Sequence, residues 1–117
     1  MAKKQVLMLF SHNPIGTIHY AEGLRLAMGV STMAKDEHVV EIAYIGDGVN
    51  FALQGVDRAG AIPFLSTLLR VGCVPKVEAE SLASRNIRRD EVATDMEIVN
   101  RRQVREIMQQ SDFILDF

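Results

Sequence analysis

The chain has 117 residues, 48% apolar and 24% charged, which is ordinary usage for one globular domain and excludes a disordered chain. Lys and Arg number 13 against 15 Asp and Glu, a net charge of −2, so no general field draws the chain to nucleic acid or an acidic membrane. One cysteine, Cys73, and no tryptophan exclude a disulfide framework and a multi-cysteine zinc site, and leave little for base stacking.

The N-terminus Met1-Ala2-Lys3-Lys4 leads into a short apolar run before a polar turn. That run is too short for a signal peptide or a membrane span, and no later run reaches the roughly 18 residues a span needs. A soluble, cytoplasmic protein is expected. Val6–Phe10 is apolar throughout and reads as a strand buried on both faces. The turn Ser11-His12-Asn13-Pro14-Ile15-Gly16 follows. Thr17 suits the N-cap of a helix running to about Met33. Its polar stripe, His19, Glu22 and Arg25, is narrow, so part of this helix is expected to face a partner subunit.

Val39–Ile45 reads as the second strand. Gly46-Asp47-Gly48 breaks it, ahead of a short helical turn at Val49–Leu53. Gln54–Ala61 reads as an exposed loop. Ile62–Val71 is a helix with Pro63 at a permitted early position, Phe64, Leu65, Leu68 and Leu69 on its buried side, and Gly72 at its end. Val74–Val77 is a third strand, weakened by Pro75. Ala79–Ser84 reads as a turn or two of helix, closed by Arg85-Asn86. Arg88–Asp95 is polar and reads as a loop, and Met96–Val99 as a fourth strand. Arg101–Gln110 is an amphipathic helix, with Val104, Ile107 and Met108 on one face. Phe113–Leu115 is the last strand. The alternation predicts one domain over residues 1–117: a three-layer α/β/α fold with a mostly parallel sheet of about five strands.

Ligand sites in such sheets sit outside the carboxyl ends of the strands. Three stretches fall near strand ends. Ser11, His12, Asn13, Gly16 and Thr17 lie between a strand and a helix N-terminus, where backbone N–H groups receive an anion or where Pro14 and Gly16 merely build the turn. The stretch is no P-loop, lacks the second glycine of a dinucleotide fingerprint and lacks a nucleotidyl-transferase histidine spacing. Asp47, between Gly46 and Gly48, either positions a ligand hydroxyl or caps the turn that follows. Cys73 is either a nucleophile or a small buried hydrophobe, and its apolar neighbours would raise the thiol pKa. His12, His19 and His38 have no ligand spacing, so no metal is expected, and no cofactor is indicated. No Gly-x-Ser-x-Gly elbow supports a serine hydrolase. Arg85, Arg88, Arg89, Arg101, Arg102 and Arg105 would contact an acidic partner or RNA phosphates, or form a solvated face with the interleaved Asp90, Glu91, Asp95, Glu97 and Glu106.

Four segments taken in order resemble the DsrE/DsrF-like family, and within it the DsrF/TusC branch. They are Asn13-Pro14-Ile15-Gly16-Thr17 with Glu22-Gly23-Leu24, then Ile45-Gly46-Asp47-Gly48-Val49, then Val77 to Ile87 with its Ser81-Leu82 and Arg85-Asn86-Ile87, and last Ser111 to Phe117. The resemblance implies a single α/β domain, trimers or hexamers of like or related subunits, and a place in sulfur trafficking. Catalytic members carry a persulfide on a cysteine and pass its sulfur on, in tRNA thiolation or sulfur oxidation. DsrF/TusC-type subunits sit beside them and generally lack that cysteine. Aligning Ser81-Leu82 and Arg85-Asn86-Ile87 sets the cysteine position at or near Glu78, which cannot carry a persulfide. Cys73 lies five residues earlier, or about 16 Å along a strand at roughly 3.3 Å per residue. Asn86 replaces the usual glycine. The resemblance therefore implies a non-catalytic subunit of a sulfur-relay assembly, either a homo-oligomer or a hetero-oligomer with DsrE-like and DsrH-like relatives. Nucleic acid would be touched only indirectly, through a tRNA-thiolation pathway, and no membrane is involved. Two alternatives stand beside this reading: a sulfurtransferase using Cys73, and a small-ligand-binding homo-oligomer of the same fold without sulfur chemistry.

Overall fold

A computed structural model describes residues 4–13, 22–23, 25–27, 38–54, 66, 68–70 and 72–117. The strands are β1 (Lys4–Phe10), β2 (His38–Tyr44), β3 (Lys76–Glu78), β4 (Glu97–Val99) and β5 (Phe113–Asp116). They form one sheet in the order β4-β3-β2-β1-β5, and every pairing is parallel. β1 lies inside the sheet between β2 and β5, and its run from Val6 to Phe10 is buried on both faces. That is why it carries no alternating polar residues.

The strand order dictates which face each connection covers. From β1 to β4 the chain steps in one direction across the sheet, and from β4 to β5 it crosses back. Right-handed crossovers then place the first three connections on one face and the last on the other. The packing agrees. Ala27, Leu68 and Leu82 join Met8, Phe10, Ile42, Tyr44 and Val77 in the larger core. Ile107 and Met108 pack on Leu7, Leu9 and Ala43 from the opposite side. The result is the three-layer α/β fold expected from the alternation.

The helix read over Thr17–Met33 is helical at Glu22, Gly23 and Arg25–Ala27. There Ala27 is buried, Leu26 is exposed and Glu22 pairs with Arg25 at 3.7 Å. Thr17 and His19 lie outside the described residues. So do Pro63, Phe64 and Leu65 of the next helix, which is helical at Ser66 and Leu68–Arg70. Gly72 ends that helix at φ +87°, with its N–H donating to the Leu69 carbonyl and that of Cys73 to the Leu68 carbonyl.

Several element boundaries differ from the sequence reading by one to three residues. The turn after β2 is a 3₁₀ helix over Gly46–Ala52, starting ahead of Val49 because Gly46 itself turns the chain at φ +52°. The third strand begins at Lys76 rather than Val74. Pro75 has no N–H to give a ladder and contributes only its carbonyl, which accepts from Glu97 N–H at 2.9 Å. The polar stretch after Ile87 also holds a 3₁₀ turn at Arg89–Glu91 and an isolated bridge from Val92 to Leu53.

The helix Arg101–Gln110 starts on a capping box. Asn100 Oδ1 accepts the Gln103 N–H at 2.8 Å, and Gln103 Oε1 accepts the Asn100 N–H at 2.9 Å. Two otherwise orphaned donors are satisfied at once. Asn100→Ala is therefore expected to lower stability by about 1 kcal/mol, read as a shift in the urea midpoint at unchanged slope.

Candidate functional site

All five strands run the same way, so their carboxyl ends share one edge of the sheet. β1 delivers Ser11 to that edge, β2 delivers Gly46–Gly48, β3 delivers Glu78, β4 delivers Arg101 and β5 delivers Asp116.

Glu78 is the last residue of β3 and is only 5% exposed. A buried carboxylate needs donors, and it has two. The Ser81 hydroxyl donates to Oε1 at 2.5 Å, and Arg101 Nη2 donates to the same oxygen at 3.1 Å. Ser81 in turn accepts the Gly46 N–H at 2.9 Å. The ends of β2, β3 and β4 are thus joined through one carboxylate. The guanidinium of Arg101 is held charged above its ordinary range, first by its hydrogen bond to Glu78 and then by that carboxylate's charge. The backbone of Arg101 is held too: its N–H reaches Glu80 Oε1 at 2.8 Å and Oε2 at 3.0 Å. That backbone bond is the first reason the Glu80 carboxyl sits below its usual range. A carboxylate at the first turn of a helix also meets the positive end of its dipole.

Asp47 neither caps the 3₁₀ helix, whose N-cap has no side-chain bond, nor stands apart for a ligand. Its Oδ1 accepts from Arg85 Nη2 at 2.8 Å and Nε at 3.2 Å. Arg85 Nη1 continues to the Ser81 carbonyl at 3.2 Å. This clamps the Gly46–Gly48 turn onto the helix Ala79–Ser84. Asn86 ends that helix at φ 54°, a conformation asparagine tolerates where glycine is usual.

At the β1 end, two of the backbone donors an anion would use are already spent. Ser11 N–H and His12 N–H both point to the Phe117 oxygen, at 2.9 and 3.3 Å, and the Ser11 hydroxyl donates to Asp116 Oδ1 at 2.6 Å. His12 and Asn13 are exposed beside them, while Gly16 and Thr17 lie outside the described residues. The structure therefore brings Ser11, Gly46, Asp47, Gly48 and Glu78 to one edge.

Cys73 does not join them. It precedes β3, at the opposite end of that strand from Glu78, and is buried. Burial pushes its thiol up to about 12, and the Glu41 carboxylate adds to the shift while Lys76 partly opposes it. Lys76 itself is paired to Glu41 at 2.8 Å. A thiol raised this way keeps its proton in the folded chain while the unfolded chain ionises from about pH 8.5 upward. Its contribution to stability is complete below that pH and is lost as pH climbs toward 12. The native protein is expected to react with dithionitrobenzoate far more slowly at pH 8 than the urea-unfolded chain. Equal rates would mean the thiol is not shielded.

The C-terminal arginines are mostly paired. Arg85 holds Asp47, Arg88 holds Asp90, Arg101 holds Glu78, and Arg102 faces Glu106 at 3.4 Å. Arg88 and Arg102 thus meet the interleaved acids, whereas Arg85 and Arg101 are claimed by carboxylates from elsewhere in the chain. Among the described residues no group of three or more His, Cys, Asp or Glu is placed to hold a metal ion, and no helix is long and apolar enough to cross a membrane.

Two members of the central cluster escape sequence reasoning. Arg101 was legible only as one arginine of a basic run, and Ser81 only as part of a motif. The available signal was positional. A residue opening a helix directly after a parallel strand must lie at the carboxyl edge of the sheet.

The fold is a three-layer α/β domain with its polar cluster at the carboxyl edge of a parallel sheet, and the chain belongs to the DsrE/DsrF-like family, whose sequence model matches residues 4–117. Over 97% of its length the chain is 27% identical to a protein named TusC homolog from Vibrio parahaemolyticus, covering 98% of that protein. Among solved structures it resembles the ychN protein of E. coli, with a TM-score of 0.83 at 17% identity over 97% of this chain and 99% of that one. It also resembles BT1422 of Bacteroides thetaiotaomicron, with a TM-score of 0.68 at 12% identity, covering 97% of this chain and 95% of that one. At such identities these likenesses establish the fold alone.

Proposed function

We propose that this chain is a non-catalytic subunit of an intracellular sulfur-relay assembly, in which Glu78 occupies the place where sulfur-carrying relatives keep their cysteine. The observation that carries this reading is the contrast along β3. At its carboxyl end a buried carboxylate is fixed by Ser81 and Arg101, where a persulfide carrier would have to stand. At its other end the one thiol of the chain is buried and pushed up to about 12, so it is protonated and a poor nucleophile at neutral pH. The similarity to a TusC homolog over nearly the whole chain supports the same branch.

In this reading Glu78 is a structural anion. It keeps three strand ends together, and sulfur is carried by cysteine-bearing partners, DsrE-like and DsrH-like, in a trimeric or hexameric arrangement. The Cys73 sulfurtransferase reading gains nothing from a shielded thiol. The small-ligand reading loses ground because the donors of Ser11, His12 and Gly46 are engaged within the chain.

Native mass spectrometry of the tagged chain recovered from its own host tests the proposal. A hetero-oligomer with cysteine-bearing relatives is expected, with sulfur transfer by that complex unchanged in Cys73→Ser. A pure homo-oligomer, or loss of transfer with Cys73→Ser in an intact complex, would overturn it.

A further inference from the structure

We propose that Ser81 and Arg101 build a seat for the terminal sulfur of a persulfide, and that Glu78 fills this seat permanently with a carboxylate oxygen. The seat is a single point. The Ser81 hydroxyl and Arg101 Nη2 both donate to Glu78 Oε1, at 2.5 and 3.1 Å, and Oε2 receives no hydrogen bond among the described residues. Arginine often meets a carboxylate with two parallel N–H groups, one to each oxygen. Here it offers one N–H to the oxygen that Ser81 already uses. Donors that converge on one atom suit an anion whose charge sits on one atom, as a persulfide's does.

The seat is also held by bonds that do not involve residue 78. The Gly46 N–H donates to the Ser81 hydroxyl oxygen at 2.9 Å, which leaves the hydroxyl proton free to point at the seat. The turn carrying Gly46 is clamped by Asp47 and Arg85. Arg101 is fixed through its own N–H by Glu80. Such support from outside is what fixes donors in place ahead of their ligand. The reach of the side chain fits as well. A persulfide's terminal sulfur lies two long bonds beyond Cβ, one of them an S–S bond of about 2.05 Å. A glutamate oxygen lies three shorter bonds beyond Cβ, so both anions stand roughly 3 Å from it. A bare thiolate, one bond out, falls short of the donors.

This inference rests on reading residue 78 as the sulfur-carrying position of the relatives. A pure homo-oligomer would end the relay proposal without touching the measurements below, and their failure would leave a relay subunit whose Glu78 is structural only. The test uses the full chain with Cys73→Ser, so that Glu78→Cys supplies its one thiol. With sodium tetrasulfide, the new thiolate attacks a terminal sulfur. One S–S bond forms, one in the tetrasulfide breaks, and trisulfide leaves with the electron pair. Mass spectrometry counts the added sulfur, and amide exchange at Gly46 reads the seat. In the reduced variant Gly46 should exchange at least about tenfold faster than with Cys73→Ser alone, the factor given by roughly 1.4 kcal/mol of lost hydrogen bonding. One added sulfur should restore the slower rate, dithiothreitol should reverse the restoration, and Arg101→Gln should prevent it. No sulfur taken up, sulfur taken up without restored protection, or equal restoration with Arg101→Gln would each overturn the proposal. Should Glu78→Cys not fold, Glu78→Ala takes its place with hydrosulfide as the probe. A ligand that binds only the native state raises stability, so hydrosulfide should raise the unfolding midpoint of Glu78→Ala and leave that of the parent unmoved. An equal shift in both, or none in either, would overturn the proposal.

Discussion

Glu78→Ala is expected to lower the unfolding free energy by roughly 1.5–3 kcal/mol, the scale of hydrogen bonds to a charged group. The variant leaves the Ser81 hydroxyl with the Gly46 N–H alone among the described residues and releases Arg101. The loss falls short of breaking a fully buried ion pair, because Arg101 is half-exposed and recovers water. Glu78→Gln keeps an acceptor for the Ser81 hydroxyl and should cost less than the alanine variant. Denaturant unfolding of the three proteins measures this order directly. The amide of Gly46, now bonded to a less constrained serine, should also exchange faster with solvent in Glu78→Ala. An alanine variant within about 0.5 kcal/mol of the parent, the range of an ordinary surface change, would mean the carboxylate does not tie the strand ends together.

That cluster also shows where sequence reasoning ends. Strand β1 and the helix Arg101–Gln110 announce themselves locally, one by an unbroken apolar run and the other by Val104, Ile107 and Met108 on one face. The helix Ala79–Ser84 is local too, with Asn86 closing it. The start of β3 is not local. It depends on where β2 offers partners, and pairing there begins at Ala43 with Lys76, so apolar Val74 stays exposed outside the ladder. The site depends even more on tertiary contacts. Glu78 was pointed to by the family resemblance, but its meaning comes from Arg101, 23 residues away, and from the Gly46 amide, 35 residues from Ser81. Asp47 looked like a cap because acids near a helix start usually are. Arg85, 38 residues on, claims it instead. Charge and spacing identify candidates along a chain, whereas which carboxylate meets which arginine is settled by the order of strands in the sheet.

The glycines flanking Asp47 look equivalent in sequence, yet their substitution should differ widely in consequence. Gly46 is a conformational requirement. Its φ is +52°, and among the described residues an added Cβ would meet only the Ser11 carbonyl oxygen at 3.6 Å and Arg85 Nη2 at 3.9 Å. Gly46→Ala should therefore cost about 1–2 kcal/mol, the left-handed penalty for an L-residue, and Gly46→Asn less, since asparagine tolerates that region. Gly48 is a steric requirement. An added Cβ would lie 1.9 Å from the Phe10 carbonyl oxygen and 2.6 Å from its carbon. Those are backbone atoms of β1, and the same oxygen accepts the Ile45 N–H at 3.0 Å, so no rotamer change relieves the overlap. Either the turn lifts off β1 or the end of β1 moves, and either movement pulls Gly46 away from Ser81 and Glu78. Gly48→Ala should consequently exceed the roughly 1–3 kcal/mol typical of overpacking and should reduce the yield of folded protein, while Gly46→Ala remains folded. Thermal unfolding of the two variants side by side gives the answer. Equal losses would mean the turn yields freely at Gly48, and the close approach of its backbone to Phe10 would not be what holds the carboxyl edge of the sheet in register.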